Sequence, residues 1–143
     1  MAGDLSLRLA IILKALPLRP GMRVLEIGCG PGAAARAVVK QIGNGHVLGI
    51  DRSAKAIAQA RAGSEAEMAS GQLSFRRVAV ENFVLEAGER PYDLAFAVRV
   101  GALDGRHPEV ERTAKRRIRE ALVTGGRLYI DGGDPLREVF LDD

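Results

Sequence analysis

The chain has no tryptophan, 4% aromatic residues and a single cysteine among its 143 residues. So few aromatics leave little for unpaired bases to stack on, which argues against a nucleic-acid binder. The lone Cys29 excludes an intrachain disulfide and suits a reducing compartment. That cysteine and the two histidines, His46 and His107, are scattered, so no metal-ligand spacing exists. No apolar run approaches the ~20 residues that cross a bilayer. The first ten residues carry Asp4 and lack a basic stretch ahead of a cleavage site. A cytoplasmic protein is the expectation. Repeats, low-complexity tracts and linkers are missing as well.

What is present is a globular composition: 47% hydrophobic and 27% charged residues, in a length that suits one domain, residues 1–143. A net charge of +3 permits an anionic partner without requiring one. Apolar residues at 5, 9, 12, 13 and 16 predict a helix over Leu5–Leu16, with Pro17 to Pro20 as a linker. From residue 21 to 131, apolar runs alternate with helical patterns. Strands are expected at Arg23–Gly28, His46–Asp51, Leu73–Val80, Tyr92–Val100 and Arg127–Asp131. Helices are expected at Pro31–Ile42, from Ser53 to about Ala69, and from Glu109 to Val123 with Gly125-Gly126 as cap. The tail, residues 132–143, reads as at most one short turn of helix. Near-continuous apolar strands alternating with helices predict an α/β fold, a doubly wound, mostly parallel sheet covered by helices on both faces. Its ligand crevice lies at the carboxyl ends of the strands, where Glu26–Gly32, Asp51, Ala79–Asn82 and Arg99–His107 converge.

The segment Val24-Leu25-Glu26-Ile27-Gly28-Cys29-Gly30-Pro31-Gly32 is a strand running into a glycine turn and a helix. Glycines allow a ligand to lie against the main chain. The pattern also fits a dinucleotide fingerprint, but Glu26 would repel a pyrophosphate and suits a cationic ligand. Asp51 follows at about the ~20-residue spacing at which an acid reaches a ribose diol; a helix N-cap is its other reading, for which Ser53 competes. Cys29 has no visible partner base and reads as a small residue in the turn. His107 and Asp104 lie in the loop after the fourth strand and are the candidate proton acceptors. Arg99 suits a carboxylate or phosphate, or a structural ion pair. The basic run Arg112, Lys115, Arg116, Arg117 and Arg119 is interleaved with Glu109, Glu111 and Glu120 and reads as a solvated helix face.

With these residues the sequence resembles the class I S-adenosylmethionine-dependent methyltransferases. The likeness rests on Val24–Gly32, on Val47-Leu48-Gly49-Ile50-Asp51, on Pro91-Tyr92-Asp93-Leu94 and on Leu122-Val123-Thr124-Gly125-Gly126-Arg127-Leu128. It implies a Rossmann-like fold and S-adenosylmethionine as cofactor, with S-adenosylhomocysteine as product. Glu26 and the turn Gly28, Cys29, Gly30 and Gly32 would then hold the methionine part. Asp51, with its neighbour Arg52, would bind the ribose. Val80 and Glu81 would frame the adenine, and Arg99 would complete the cofactor set.

The chain departs from the family pattern at two places. The acid often found near the adenine amino group aligns with Ala79, leaving Glu81 or Asn82 to take over. Family members also continue past the fifth strand with two more strands, whereas this chain stops about a dozen residues later. A fifth strand left as a bare edge is rarely tolerated, so either the tail covers it or a second copy of the chain does, as a homo-oligomer. No Asn-Pro-Pro-aromatic tetrapeptide follows the fourth strand, which disfavours nucleobases and glutamine amides as acceptors. The expected function is methyl transfer to a small molecule by in-line displacement. The alternative is an S-adenosylmethionine-binding module with little catalysis, acting as a sensor or needing a partner.

Overall fold

A computed structural model describes residues 5–141. The strands are β1 (Arg23–Ile27), β2 (His46–Asp51), β3 (Leu73–Arg77), β4 (Tyr92–Ala97), β5 (Leu122–Asp131) and β6 (Leu136–Val139). They form one sheet in the order β3-β2-β1-β4-β5-β6. The first five are parallel, and β6 runs antiparallel to β5. The helices are α1 (Leu7–Ala15), α2 (Ala33–Ile42), α3 (Ala54–Ala62), α4 (Glu65–Ala69) and α5 (Pro108–Ala121).

Neighbouring residues of a strand point to opposite faces, so each apolar strand feeds two cores. Val24, Val47, Leu94 and Phe96 lie with Leu13 of α1 and with Val38 and Ile42 of α2. Leu25, Leu48, Ala95 and Leu128 lie with Ala114, Ile118 and Ala121 of α5. The sheet is thus buried on both faces, and the order reverses between β1 and β4. A crevice opens at that switch point.

Four local expectations are corrected. The helix expected from Ser53 to about Ala69 is two, α3 and α4, broken at Gly63-Ser64. Arg36 reaches across from α2 and donates to the Ser64 hydroxyl at 2.9 Å, and Ser64 is fully buried. A side chain on Gly63 would stand 3.0 Å from that guanidinium. Gly125-Gly126 do not cap α5. They lie inside β5, where Gly125 takes φ +82° and the pairing with β4 shifts register between Tyr92 and Leu94.

The tail forms β6 rather than a turn of helix. Leu128 pairs with Val139 and Asp131 with Leu136, so the chain itself covers the β5 edge. Of the two ways to protect that edge, the tail is the one seen. β3 and β4 also end about three residues earlier than expected. Short 3₁₀ turns follow them, Val80–Asn82 and Gly101–Leu103, and these wall the crevice.

Candidate cofactor and acceptor site

β1 delivers the glycine turn to the switch point. The amides of Gly28 and Cys29 both donate to the Ile50 carbonyl, at 2.8 and 3.0 Å, which clamps the turn to β2. Gly28, Gly30 and Gly32 take φ of +70°, +52° and +91°, a region that glycine enters without steric cost. The three serve different ends. A Cβ on Gly30 would meet nothing within 4 Å, so its main chain faces open space. One on Gly28 would stand 2.7 Å from Val100 Cγ2, and one on Gly32 would press on Arg36, Phe75 and Ala60. Gly30 is thus bare toward open space, whereas Gly32 is bare toward the protein.

Asp51, at the end of β2, holds this turn. Its Oδ2 accepts from the Gly30 amide at 2.9 Å and its Oδ1 from the Ser53 amide at 2.9 Å. Ser53 caps α3 by accepting from Ala56 at 3.1 Å. Asp51 and Ser53 therefore divide the work, and lone pairs remain on both Asp51 oxygens for hydroxyl donors.

Glu26 lies in mid-sheet between Gly49 of β2 and Phe96 of β4, and only 4% of it is exposed. Its Oε1 is buried without a hydrogen-bond partner among the described residues. Burial pushes its pKa up to about 8; the Asp51 charge adds to the rise and Arg36 opposes it. An unpaired buried carboxyl oxygen is costly. The Cys29 thiol is pushed up by burial and then by the charges of Glu26 and Asp51, so it stays protonated and is no nucleophile.

Two clefts open on the crevice. The first, about 550 Å³, is lined by Gly28, Asp51, Arg52, Val80, Glu81 and Arg99, with His107 at its rim. The second, about 440 Å³, lies over the ends of β4 and β5 and contains Asp104 and Arg137; Arg99, Val100 and Arg106 border both. Glu26, Cys29, Gly30 and Gly32 lie outside the lining of the first cleft. His107 lines the first cleft and Asp104 the second. The Arg106 amide at 3.1 Å and its side chain at 2.7 Å hold the Asp104 carboxyl below the usual range. Asp104 is thus a weak base already engaged.

Arg99 is the one non-glycine residue with positive φ among the described residues, at +59°. That conformation costs roughly 1–2 kcal/mol, and the Arg99 amide is anchored to Asp131 Oδ1 at 3.1 Å. Sequence reasoning missed Arg36, Arg106 and Arg137. Arg137 was out of reach once the tail was read as helix. A turn signal, Gly132-Gly133-Asp134-Pro135 before Leu136-Arg137-Glu138-Val139, marks the hairpin that carries it.

An open α/β sheet with a glycine turn at its switch point, a buried acid on β1 and an acid ending β2 defines a nucleoside-binding domain of Rossmann-like type. Residues 24–126 match the methyltransferase-domain family, and the chain belongs to it. Its fold is that of the class I S-adenosylmethionine-dependent methyltransferases. It is 35% identical over 126 residues to a protein-L-isoaspartate O-methyltransferase of Methylorubrum populi, covering 88% of this chain and 52% of that protein. It is 31% identical over 102 residues to a sterol 24-C-methyltransferase of Gibberella zeae, covering 68% of this chain and 26% of that protein. The chain thus spans about half or less of the length of these relatives. Among solved structures it resembles a methyltransferase of Thiobacillus denitrificans in complex with S-adenosyl-L-homocysteine, with TM-score 0.67, 24% identity, and 90% of this chain and 48% of that one covered. It resembles the [4+2]-cyclase SpnF as closely, with TM-score 0.69 and 24% identity over 85% of this chain and 42% of that one. The fold alone therefore leaves the reaction open.

Proposed function

We propose that the chain binds S-adenosylmethionine in the first cleft and transfers its methyl group to a small molecule entering from the second. The observation that carries this is Glu26 Oε1, an orphaned buried oxygen near the end of β1, two residues before Gly28, which lines that cleft. A cofactor bearing an ammonium and a sulfonium supplies both the missing donor and the compensating charge. A dinucleotide pyrophosphate supplies no donor and would oppose ionisation of this carboxyl. Family membership favours turnover over a binding module without catalysis.

When bound, the cofactor would supply an electrophilic methyl group to an acceptor lone pair, its sulfur keeping the electrons of the carbon–sulfur bond. The chain supplies alignment and charge placement. Glu26 sets the negative charge behind the turn, and Asp51 accepts from the ribose hydroxyls while holding Gly30. Arg52, Val80 and Glu81 wall the cleft on the nucleoside side. The amides opening α2 favour the amino-acid carboxylate. His107, at the rim, is the group placed to take a proton from a hydroxyl or ammonium acceptor.

Calorimetry with S-adenosylmethionine and S-adenosylhomocysteine tests the cofactor, and methyl transfer to a panel of small acceptors tests turnover. No binding of either at millimolar concentration overturns the reading. Binding without turnover reduces the protein to a sensor or to a subunit that needs a partner.

A further inference from the structure

The second cleft carries more positive charge than its own acids neutralise. Its lining holds Arg99, Arg106 and Arg137 against Asp104 and Asp131. Both acids are already engaged. Asp104 accepts from Arg106, and Asp131 accepts from the Arg8 guanidinium at 3.0 Å and from the Arg99 amide. The guanidinium groups of Arg99 and Arg137 make no hydrogen bond or ion pair among the described residues. Both belong to exposed residues, yet both line one concave space whose floor is Ala97, Leu103 and Ile130.

The fold brings these two cations together from distant parts of the chain. Arg99 follows β4 directly, in the left-handed conformation that places it between the two clefts. Arg137 lies opposite Ile130 in the β5–β6 ladder, so its side chain shares the face of Ile130, which borders the cleft. A strained residue beside a cavity is a sign of function, and paired guanidinium groups match planar or tetrahedral oxyanions better than any neutral group.

We propose that the second cleft seats an anionic group of the methyl acceptor, a carboxylate or phosphate, between Arg99 and Arg137. The inference rests on the methyltransferase reading of the first cleft. It adds that the acceptor is an acid held by its charged end, with the nucleophilic atom turned toward Gly28 and Val100.

The test is a pair of NMR titrations of the full chain saturated with S-adenosylhomocysteine, one arm with benzoate and one with inorganic phosphate, reading the arginine side-chain Nε–H signals. Shifts are expected to concentrate on Arg99 and Arg137 in at least one arm, and the tighter arm names the group. R137Q should weaken that binding about tenfold, the effect of losing one charge-assisted contact. R116Q, an equal change of charge on α5 outside both clefts, should leave it unchanged. Shifts spread evenly over the arginines, or equal effects of R137Q and R116Q, overturn the inference and leave the methyltransferase reading standing. Failure of S-adenosylhomocysteine to bind the unaltered chain overturns both.

Discussion

The Gly30 amide donates to Asp51 Oδ2 at 2.9 Å, across 21 positions of sequence. One carboxylate therefore fixes the bend that faces the ligand and offers itself to the ligand too. Asp51→Ala removes both roles. Affinity for S-adenosylhomocysteine should fall by about 1–3 kcal/mol, the cost of leaving hydroxyl donors unpaired. The fold should persist, because the Gly28 and Cys29 amides still hold Ile50. Calorimetry beside a thermal melt checks this, and an unchanged affinity would remove Asp51 from the site.

Glu26 predicts proton release on binding. With a pKa near 8 the free protein keeps Glu26 protonated at neutral pH. A cationic ligand favours the ionised form, so binding expels the proton. Apparent affinity should then rise with pH up to about 8, by as much as roughly tenfold per unit, and level off above it. Glu26→Gln should bind more weakly and lose this slope. Calorimetry in two buffers of different ionisation enthalpy counts the proton directly.

The same group sets a pH dependence of folding without ligand. Between its ordinary value of 4.5 and about 8, folded Glu26 holds a proton that the unfolded chain has released. Its contribution to stability is thus present in acid and lost as pH rises through 8. Urea melts at pH 5 and pH 8 should show a larger loss for the unaltered chain than for Glu26→Gln. A parallel loss in the two would show that Glu26 is not the group responsible.

Gly30 and Gly45 should separate binding from folding. A Cβ on Gly30 meets nothing, so Gly30→Val costs only the backbone strain of about 1–2 kcal/mol yet fills the space kept for the ligand. Gly45→Ala drives its Cβ into the Met22 carbonyl, which is main chain and cannot swing aside. The first variant should fold and fail to bind; the second should be destabilised before binding is tested. Thermal melts of the two variants decide.

Most of the fold was legible in the sequence because β1, β2 and β4 are apolar on both faces. Such runs of five or six residues, bounded by turn residues and alternating with helical patterns, read as buried parallel strands. Glu26 stood out because a carboxylate in such a run needs a reason. The break at Gly63-Ser64 was illegible because its cause, Arg36, comes from another helix. Gly125-Gly126 look the same as a helix cap or as an irregularity inside a strand, and only the register against β4 separates the two. β6 was hidden by its length, since four residues with one buried member carry too little alternation to reveal a strand.

Because β6 runs against β5, Val139 sits opposite Leu128 while Leu136 sits opposite Asp131, which lines the second cleft. The polypeptide thus exits its last strand on the underside of the sheet, remote from both openings. An affinity handle or fluorophore fused at that terminus can anchor the protein to a sensor chip and leave the two mouths clear.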